Sequence, residues 1–491
     1  MKRDFLVIMS GRMLQVITTI FIARIMTSLL GQEEMGKTVL IMSITTFFAL
    51  IFINPVGTYI NRRLHEWEEK GVLLQRFQLY CVYVISVTLF ANLFLLLFYL
   101  FYKNELQLSL GWLIFLVTGS LLINTFNQTI IPTLNMLGHR MKSVIFALLT
   151  LWSSLFFSVY LTGQTHRAEQ WLAGQLIGLA IGLVVALFFF VRSYKDQSKV
   201  FKGKAIFKEV SREQLKSLVV FSVPVAITVG LSWVQFQSYR FTVNSLVSVE
   251  FLGLFAAGYN MSSSIMGAFE TTAMQFFYPF VYKNFSKARN EQEQIQIWNR
   301  YAAIMIPLTL FTAFFVVYMA KPLTNLLLDE SYHAAYMFLM WGSIAEAGRI
   351  LGSVYGLLAH ASMKTRQLIV PQFIGALLSA VLVPCLIYTW GPEFGVGAAL
   401  ALASLAYVLA LHIVIRKKMA FQISAFTVIQ GLLGPLPLLA ATLLFPSENL
   451  TLVGTIILVG CCGIYYLLLG YLAIGKLLRR NSIDFSGTKD V

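Results

Sequence analysis

The sequence predicts an all-α polytopic membrane protein with about fourteen transmembrane helices. Three observations predict it: charge is scarce, apolar runs of spanning length recur along the whole chain, and basic residues concentrate on alternate connections. Of 491 residues, 58% are hydrophobic and 12% are charged. A soluble domain carries about 25% charged residues, so this chain cannot cover a globular surface. A soluble enzyme, a disordered scaffold and a disulfide-stapled secreted domain are excluded. Cys81, Cys385, Cys461 and Cys462 all lie inside apolar runs and read as buried apolar thiols. The N-terminus MKRDFLVIMSGRMLQ lacks the small-residue cleavage site of a signal peptide, so its apolar run is expected to stay as a helix.

A helix needs about 20 apolar residues to cross a bilayer. Runs of that kind lie near 5–29, 37–60, 77–102, 110–135, 143–163, 168–192, 217–239, 250–277, 299–320, 333–359, 368–390, 394–415, 423–445 and 450–475. Connections as short as WGPEFG and FPSENL require antiparallel neighbours. Pro55, Pro132, Pro224, Pro307, Pro371, Pro384, Pro435 and Pro437 fall inside runs. Membrane helices tolerate them where a neighbour or cavity water satisfies the freed carbonyls, as in the broken helices of transporters.

Loop charges set the expected orientation. With the N-terminus in the cytoplasm, 29 of the 37 Lys and Arg fall on cytoplasmic segments. Lys37, Lys103, Arg167 and Lys321 fall on the other side, and Arg12, Arg24, Arg240 and Arg349 lie within spans. The net charge of +15 is therefore a topology signal, and neither nucleic acid nor nucleotide is needed as a partner. Both termini are expected in the cytoplasm, and the basic loop RSYKDQSKVFKGKAIFKEVSREQLK is expected to lie along the anionic leaflet of membrane lipids.

That loop divides a repeat. Arg24, Leu30, Glu34, Gly36 and Leu40 are echoed by Arg240, Leu246, Glu250, Gly253 and Ala257. MLGHRMK, from 136, is echoed by LLAHASMK, from 357, and both echoes report a period near 220 residues. The expected organisation is a six-helix bundle over 1–192, a basic cytoplasmic linker over 193–216 and a second six-helix bundle over 217–415. Two extra helices and a cytoplasmic tail follow over 416–491. An even number of helices per half makes the repeats parallel, with a pseudo-two-fold along the membrane normal.

Residues 31–38, GQEEMGKT, match the phosphate-loop pattern letter for letter. The match lies between two membrane helices and lacks the preceding strand, so nucleotide binding is rejected. Charges within the spans are more informative, because each costs about 2.5–3.5 kcal/mol or more at a helix centre and must meet a cavity or a partner. Arg12, Arg24, Arg240 and Arg349 stand against Glu270 and Glu346. Spacing puts Glu346 and Arg349 one turn apart on one face, as an ion pair. Snorkelling to headgroups is the alternative for Arg24 and Arg240. Arginines in a water-filled cleft would suit an anionic substrate, since guanidinium grips phosphate oxygens bidentately. Glu270 or Glu346 would then be candidates for ion coupling. Asn124, Asn127 and Gln128 share one face of the fourth run, Gln235 and Tyr239 lie near Arg240, and Asn260 marks the eighth run. These are candidate cavity-lining residues, with helix–helix glue as the alternative. His residues lack metal-ligand spacing, so no metal or cofactor is expected.

At ARIMTSLLGQEEMG, then FFALIFINPVGTYINRR, then LNMLGHRMK, the chain resembles the polysaccharide (O-antigen, Wzx-like) flippases of the multidrug/oligosaccharidyl-lipid/polysaccharide exporter superfamily. The resemblance implies two six-helix bundles around a cationic cavity that alternates between faces. It also implies transport of a polyprenyl-pyrophosphate-linked oligosaccharide to the periplasmic leaflet of a bacterial inner membrane, driven by a proton or sodium gradient. Arg12, Arg24 and Arg240 match the family's cavity arginines, joined in the charge reading by Arg349. Many relatives carry Asp before the seventh-helix arginine, where this chain has Tyr239. Other polysaccharide-assembly membrane proteins are the expected protein partners. Two rivals are a cation-coupled multidrug exporter, which would show a cavity of acids and aromatics, and a membrane glycan polymerase or ligase. The second needs a large outer loop with catalytic groups; the outer loops here are mostly under fifteen residues, with nine acids against four bases.

Overall fold

The computed structural model describes residues 2–106, 109–194, 212–361, 365–417, 421, 423, 425–446 and 450–480. Most of the basic linker, Lys364 and the tail from 481 lie outside the described residues, as do the side chains of Arg12 and His360. Every membrane-length element among the described residues is a helix. In chain order they are α1 (Lys2–Leu29), α2 (Gln32–Glu69), α3 (Leu73–Leu106), α4 (Leu110–Met136), α5 (Arg140–Thr162), α6 (Ala168–Tyr194) and α7 (Arg212–Leu246). They continue as α8 (Val249–Lys287), α9 (Glu291–Tyr318), the short α10 (Ala320–Leu327), α11 (Tyr336–Ala361), α12 (Ile369–Trp390) and α13 (Pro392–Arg416). The pair α14 (Ala425–Leu433) and α15 (Leu436–Leu444) precedes α16 (Leu452–Arg480). Ten helices among the described residues are individually long and apolar enough to cross a membrane. The protein is a multi-pass membrane protein.

Each of the fourteen apolar runs falls on a helix, the thirteenth being shared by α14 and α15, which Gly434 and Pro435 separate. Several helices outrun their apolar stretch: α2 continues through HEWEE and α8 through NFSK. Between α8 and α9 the chain turns at Asn290. Its side chain accepts from the Glu293 N–H while Glu293 accepts from the Arg289 N–H, both at 2.8 Å, which satisfies two orphan donors at the helix start.

Proline explains one local break. Pro55 has no N–H to offer the carbonyl four residues back, and a π turn occupies Ala49–Ile53 just before it. A second π turn, Ser120–Asn124, ends at a polar residue inside α4. α7 breaks at Ser238, directly ahead of Tyr239 and Arg240, and then continues to Leu246.

The chain divides into two compact units. The first comprises Met1–Trp233 with Asn244–Gly253; the second comprises Val234–Val243 with Leu254–Val491. In the first, α5 and α6 pack backbone to backbone. A Cβ on Gly178 would lie 2.1 Å from the Ser154 nitrogen, and Ser158 Oγ donates to the Trp171 carbonyl at 3.0 Å. Small residues permit this approach in a membrane, where van der Waals contact replaces hydrophobic drive. The two glycines paired by the 220-residue period also meet within this unit. A Cβ on Gly36 would lie 2.0 Å from the Val249 carbonyl oxygen, and one on Gly253 would lie 1.8 Å from that of Gln32 and 2.8 Å from Gly36 N.

In the second unit Trp298 donates from its indole N–H to the Val354 carbonyl at 2.8 Å within a buried aromatic cluster with Tyr355 and Phe421. Ser404 Oγ donates to the Ala345 carbonyl and joins α13 to α11. α16 is fixed to α9 by Tyr466, stacked on Phe311 at 5.1 Å and hydrogen-bonded to Thr312 at 2.7 Å. One expectation needs correction: Cys385 and Cys461 are exposed, and only Cys462 is buried. On these helices an exposed face is apolar, so residence in an apolar run did not imply burial within the protein.

Candidate functional site

In the first unit a concave cavity of about 510 Å³ is walled by α1, α4, α5 and α6. Six side-chain amides line it: Gln15 from α1, Asn124, Asn127, Gln128 and Asn135 from α4, and Gln175 from α6. Ser and Thr hydroxyls from α1 and α5 complete the polar part, and no acidic or basic side chain among the described residues contributes. Asn127 is buried and committed to structure; its Nδ2 donates to the Leu179 carbonyl at 3.0 Å and contacts Thr150 Oγ1 at 3.4 Å. Gln128 Nε2 donates to Asn124 Oδ1 at 3.1 Å. The shared face expected for Asn124, Asn127 and Gln128 thus divides its work: one residue ties helices together and the other two remain partly available.

α1 contributes Gln15, Thr19 and Ile22 to this cavity. At about 100° per residue Arg24 lies on the opposite face of α1 from those three. Arg24 is half-buried, and its carbonyl accepts from Thr27 Oγ1 at 3.0 Å. Arg12 belongs to α1, with its side chain outside the described residues. The phosphate-loop match forms no phosphate cradle. Its Lys37 is paired with Glu33 at 2.9 Å and Glu34 at 2.8 Å, and Glu34 also accepts from the Ala168 N–H at the start of α6 at 2.7 Å.

In the second unit Arg240 is buried beside the break in α7. Its Nη1 donates to Gln237 Oε1 at 2.8 Å, its Nη2 reaches Asn260 Oδ1 at 3.5 Å, and its guanidinium lies 5.8 Å from the Tyr239 ring centroid. Tyr239 is itself buried against Phe255 and Tyr259. Gln235 is a tie between α7 and α12: its side-chain oxygen accepts from Gln372 Nε2 at 2.7 Å and its carbonyl from Ser379 Oγ at 2.8 Å.

Further along, Arg349 meets two carboxylates. Its Nε donates to Glu346 at 2.6 Å and its Nη2 to Glu270 at 2.8 Å. Ser263 Oγ donates to the other oxygen of Glu346 at 2.8 Å. The one-turn spacing of Glu346 and Arg349 announced half of this arrangement. Glu270 and Ser263, brought in from α8, were beyond pattern reading, as was Gln372 on Gln235, whereas Gln237 stands at readable one-turn spacing from Arg240 and was missed. The single glutamine in the apolar IVPQFIG segment was the one available signal. Two acids and one guanidinium leave this group with an acidic excess.

Ten membrane-capable helices among the described residues and two compact units define a multi-pass helical membrane fold. The chain is similar to a structure of the lipid II flippase MurJ in an inward closed conformation, with a TM-score of 0.69 and 13% identity over 97% of this chain and 100% of that one. It is similar also to an inward-facing multidrug resistance MATE family transporter of the MOP superfamily, with a TM-score of 0.62 and 13% identity over 84% and 98% of the two chains. No family model and no curated protein matches the chain.

Proposed function

We propose that the protein is a lipid-linked oligosaccharide flippase. In this reading it moves a polyprenyl-pyrophosphate-linked glycan unit from the cytoplasmic to the periplasmic leaflet of a bacterial inner membrane by alternating access, in cell-surface polysaccharide biosynthesis. The observation that carries it is the fold shared with a lipid II flippase along nearly the whole chain. Buried Arg240, held by the neutral amides of Gln237 and Asn260, supports it, because a guanidinium so placed suits a pyrophosphate. Arg12, Arg24 and Arg349 are further candidate contacts for the pyrophosphate in this reading, and the prenyl tail stays in lipid. Residues 1–192 and 217–415 rock about the path, and Glu270 with Glu346 exchanges a proton or sodium ion to power the cycle. No catalytic group or cofactor takes part.

A second reading, a cation-coupled multidrug exporter, draws on the acidic excess around Arg349. Purified protein in liposomes separates the two. Movement of a fluorescent polyprenyl-pyrophosphate glycan between leaflets supports the flippase; accumulation of cationic dyes without glycan movement supports the exporter.

A further inference from the structure

We propose that the amide-lined cavity of the first unit is a recognition subsite for an uncharged sugar, engaging the hydroxyl and acetamido groups of the glycan. The inference rests on the flippase reading and adds where, and by what chemistry, the sugar is read.

Four observations carry it. The volume, about 510 Å³, lies within the range of small-ligand sites. Its polar lining among the described residues is amide and hydroxyl, the chemistry that pairs with sugar hydroxyl and acetamido groups. An amide presents two donors and an acceptor on one plane, which complements a sugar hydroxyl that both gives and takes a hydrogen bond.

The third observation is the division of labour among the amides. The Nδ2 of Asn127 is engaged in holding α4 to α5 and α6. Asn124 accepts from Gln128 and keeps its own N–H groups, while Gln128 keeps its carbonyl. The side-chain amides of Asn135 and Gln175 make no hydrogen bond to any described residue, although both line the cavity. Amides packed only as glue would be satisfied across helices; these two face the cavity with their hydrogen-bonding capacity unspent.

The fourth is the π turn Ser120–Asn124, which ends at a lining residue. Such turns cost regular helix geometry and concentrate where a helix must present a side chain to a ligand. The close α5–α6 packing at Gly178 gives the cavity a wall that does not yield.

The test uses purified full-length protein in detergent and saturation-transfer NMR with free N-acetylglucosamine, galactose, glucuronate and glucosamine. The neutral sugars should receive saturation from the wild type and the anionic glucuronate should not. Asn135→Leu and Gln175→Leu should each lower the neutral-sugar signal at least fivefold, with an unchanged melting temperature confirming a folded protein. Asn135→Asp, which keeps the size and adds charge, should shift the preference toward cationic glucosamine. Signals absent in the wild type, equal in all variants, or strongest for glucuronate overturn the proposal. Leaflet transfer of a polyprenyl-pyrophosphate glycan is measured on the same preparations. Transfer with sugar signals insensitive to Asn135 and Gln175 removes the subsite and leaves the flippase reading. Sugar binding lost in both leucine variants, with no transfer by the wild type, removes the flippase reading and leaves the subsite.

Discussion

Replacing Arg349 with methionine keeps most of the side-chain length and removes the one positive charge between Glu346 and Glu270. Both carboxylates are nearly buried, with side-chain exposures of 6% and 12%, and the guanidinium is 31% exposed. Breaking a buried ion pair by deleting one partner costs about 3–5 kcal/mol, because a charge is left without compensation. Partial exposure of Arg349 lowers that, and repulsion between two orphaned carboxylates raises it again, so about 3 kcal/mol is expected. At roughly 2–4 °C per kcal/mol for a unit of 150–250 residues, the melting temperature should fall by about 6–12 °C. The assay is thermal unfolding of the purified protein in one detergent at fixed pH, followed by tryptophan fluorescence. The triple variant Arg349→Met, Glu270→Gln, Glu346→Gln has no orphaned charge and should recover at least half of the loss. An Arg349→Met protein as stable as the wild type, or a triple variant no better than the single one, would refute the argument that the three charges are mutually compensated.

Three further outcomes are expected. Gly253→Ala puts a Cβ 1.8 Å from the Gln32 carbonyl oxygen, so the contact between that segment and Gly36 must open; the variant should lose about 1–3 kcal/mol, read as a lower melting temperature than the wild type. Glu34→Ala removes the carboxylate that accepts from the Ala168 N–H at the start of α6 and pairs Lys37; it should lower stability by about 1–2 kcal/mol, read as a lower melting temperature at low salt. Gln235→Leu leaves Gln372 without its partner in a buried site and should cost about 1–3 kcal/mol, partly restored by Gln372→Leu in the same chain.

Helices were legible because a membrane imposes a simple rule: backbone groups must pair within the segment, so an apolar run of spanning length becomes a helix. Gly36 and Gly253 were picked out by their period, and the contact between them supplies a reason for glycine at both positions. Local charge pairing was equally readable, as Glu346 and Arg349 sit one turn apart. Other features depend on which helix lies beside which. Glu270 is 79 positions from Arg349, and no periodicity announces their meeting. Gln235 looked like a cavity residue from its nearness to Arg240, but it binds α12 instead. Asn135 and Gln175 were overlooked because Asn135 lies two turns beyond Gln128 and Gln175 lies on a different helix; only the packing of α4 and α6 brings them to one cavity. Helix phase also mattered: Arg24 shares α1 with Gln15 and Thr19 but faces away from them.

The most direct test of the central claim is leaflet transfer in liposomes that contain a short polyprenyl-pyrophosphate glycan with a fluorescent sugar. Accessibility of the sugar to a membrane-impermeant quencher is followed for the wild type, Arg24→Ala and Arg240→Ala, with and without a proton or sodium gradient. Gradient-stimulated transfer by the wild type and at least a tenfold slower rate in folded Arg240→Ala are expected. No transfer by folded wild type under either gradient, or an Arg240→Ala rate equal to the wild type, would contradict the central claim.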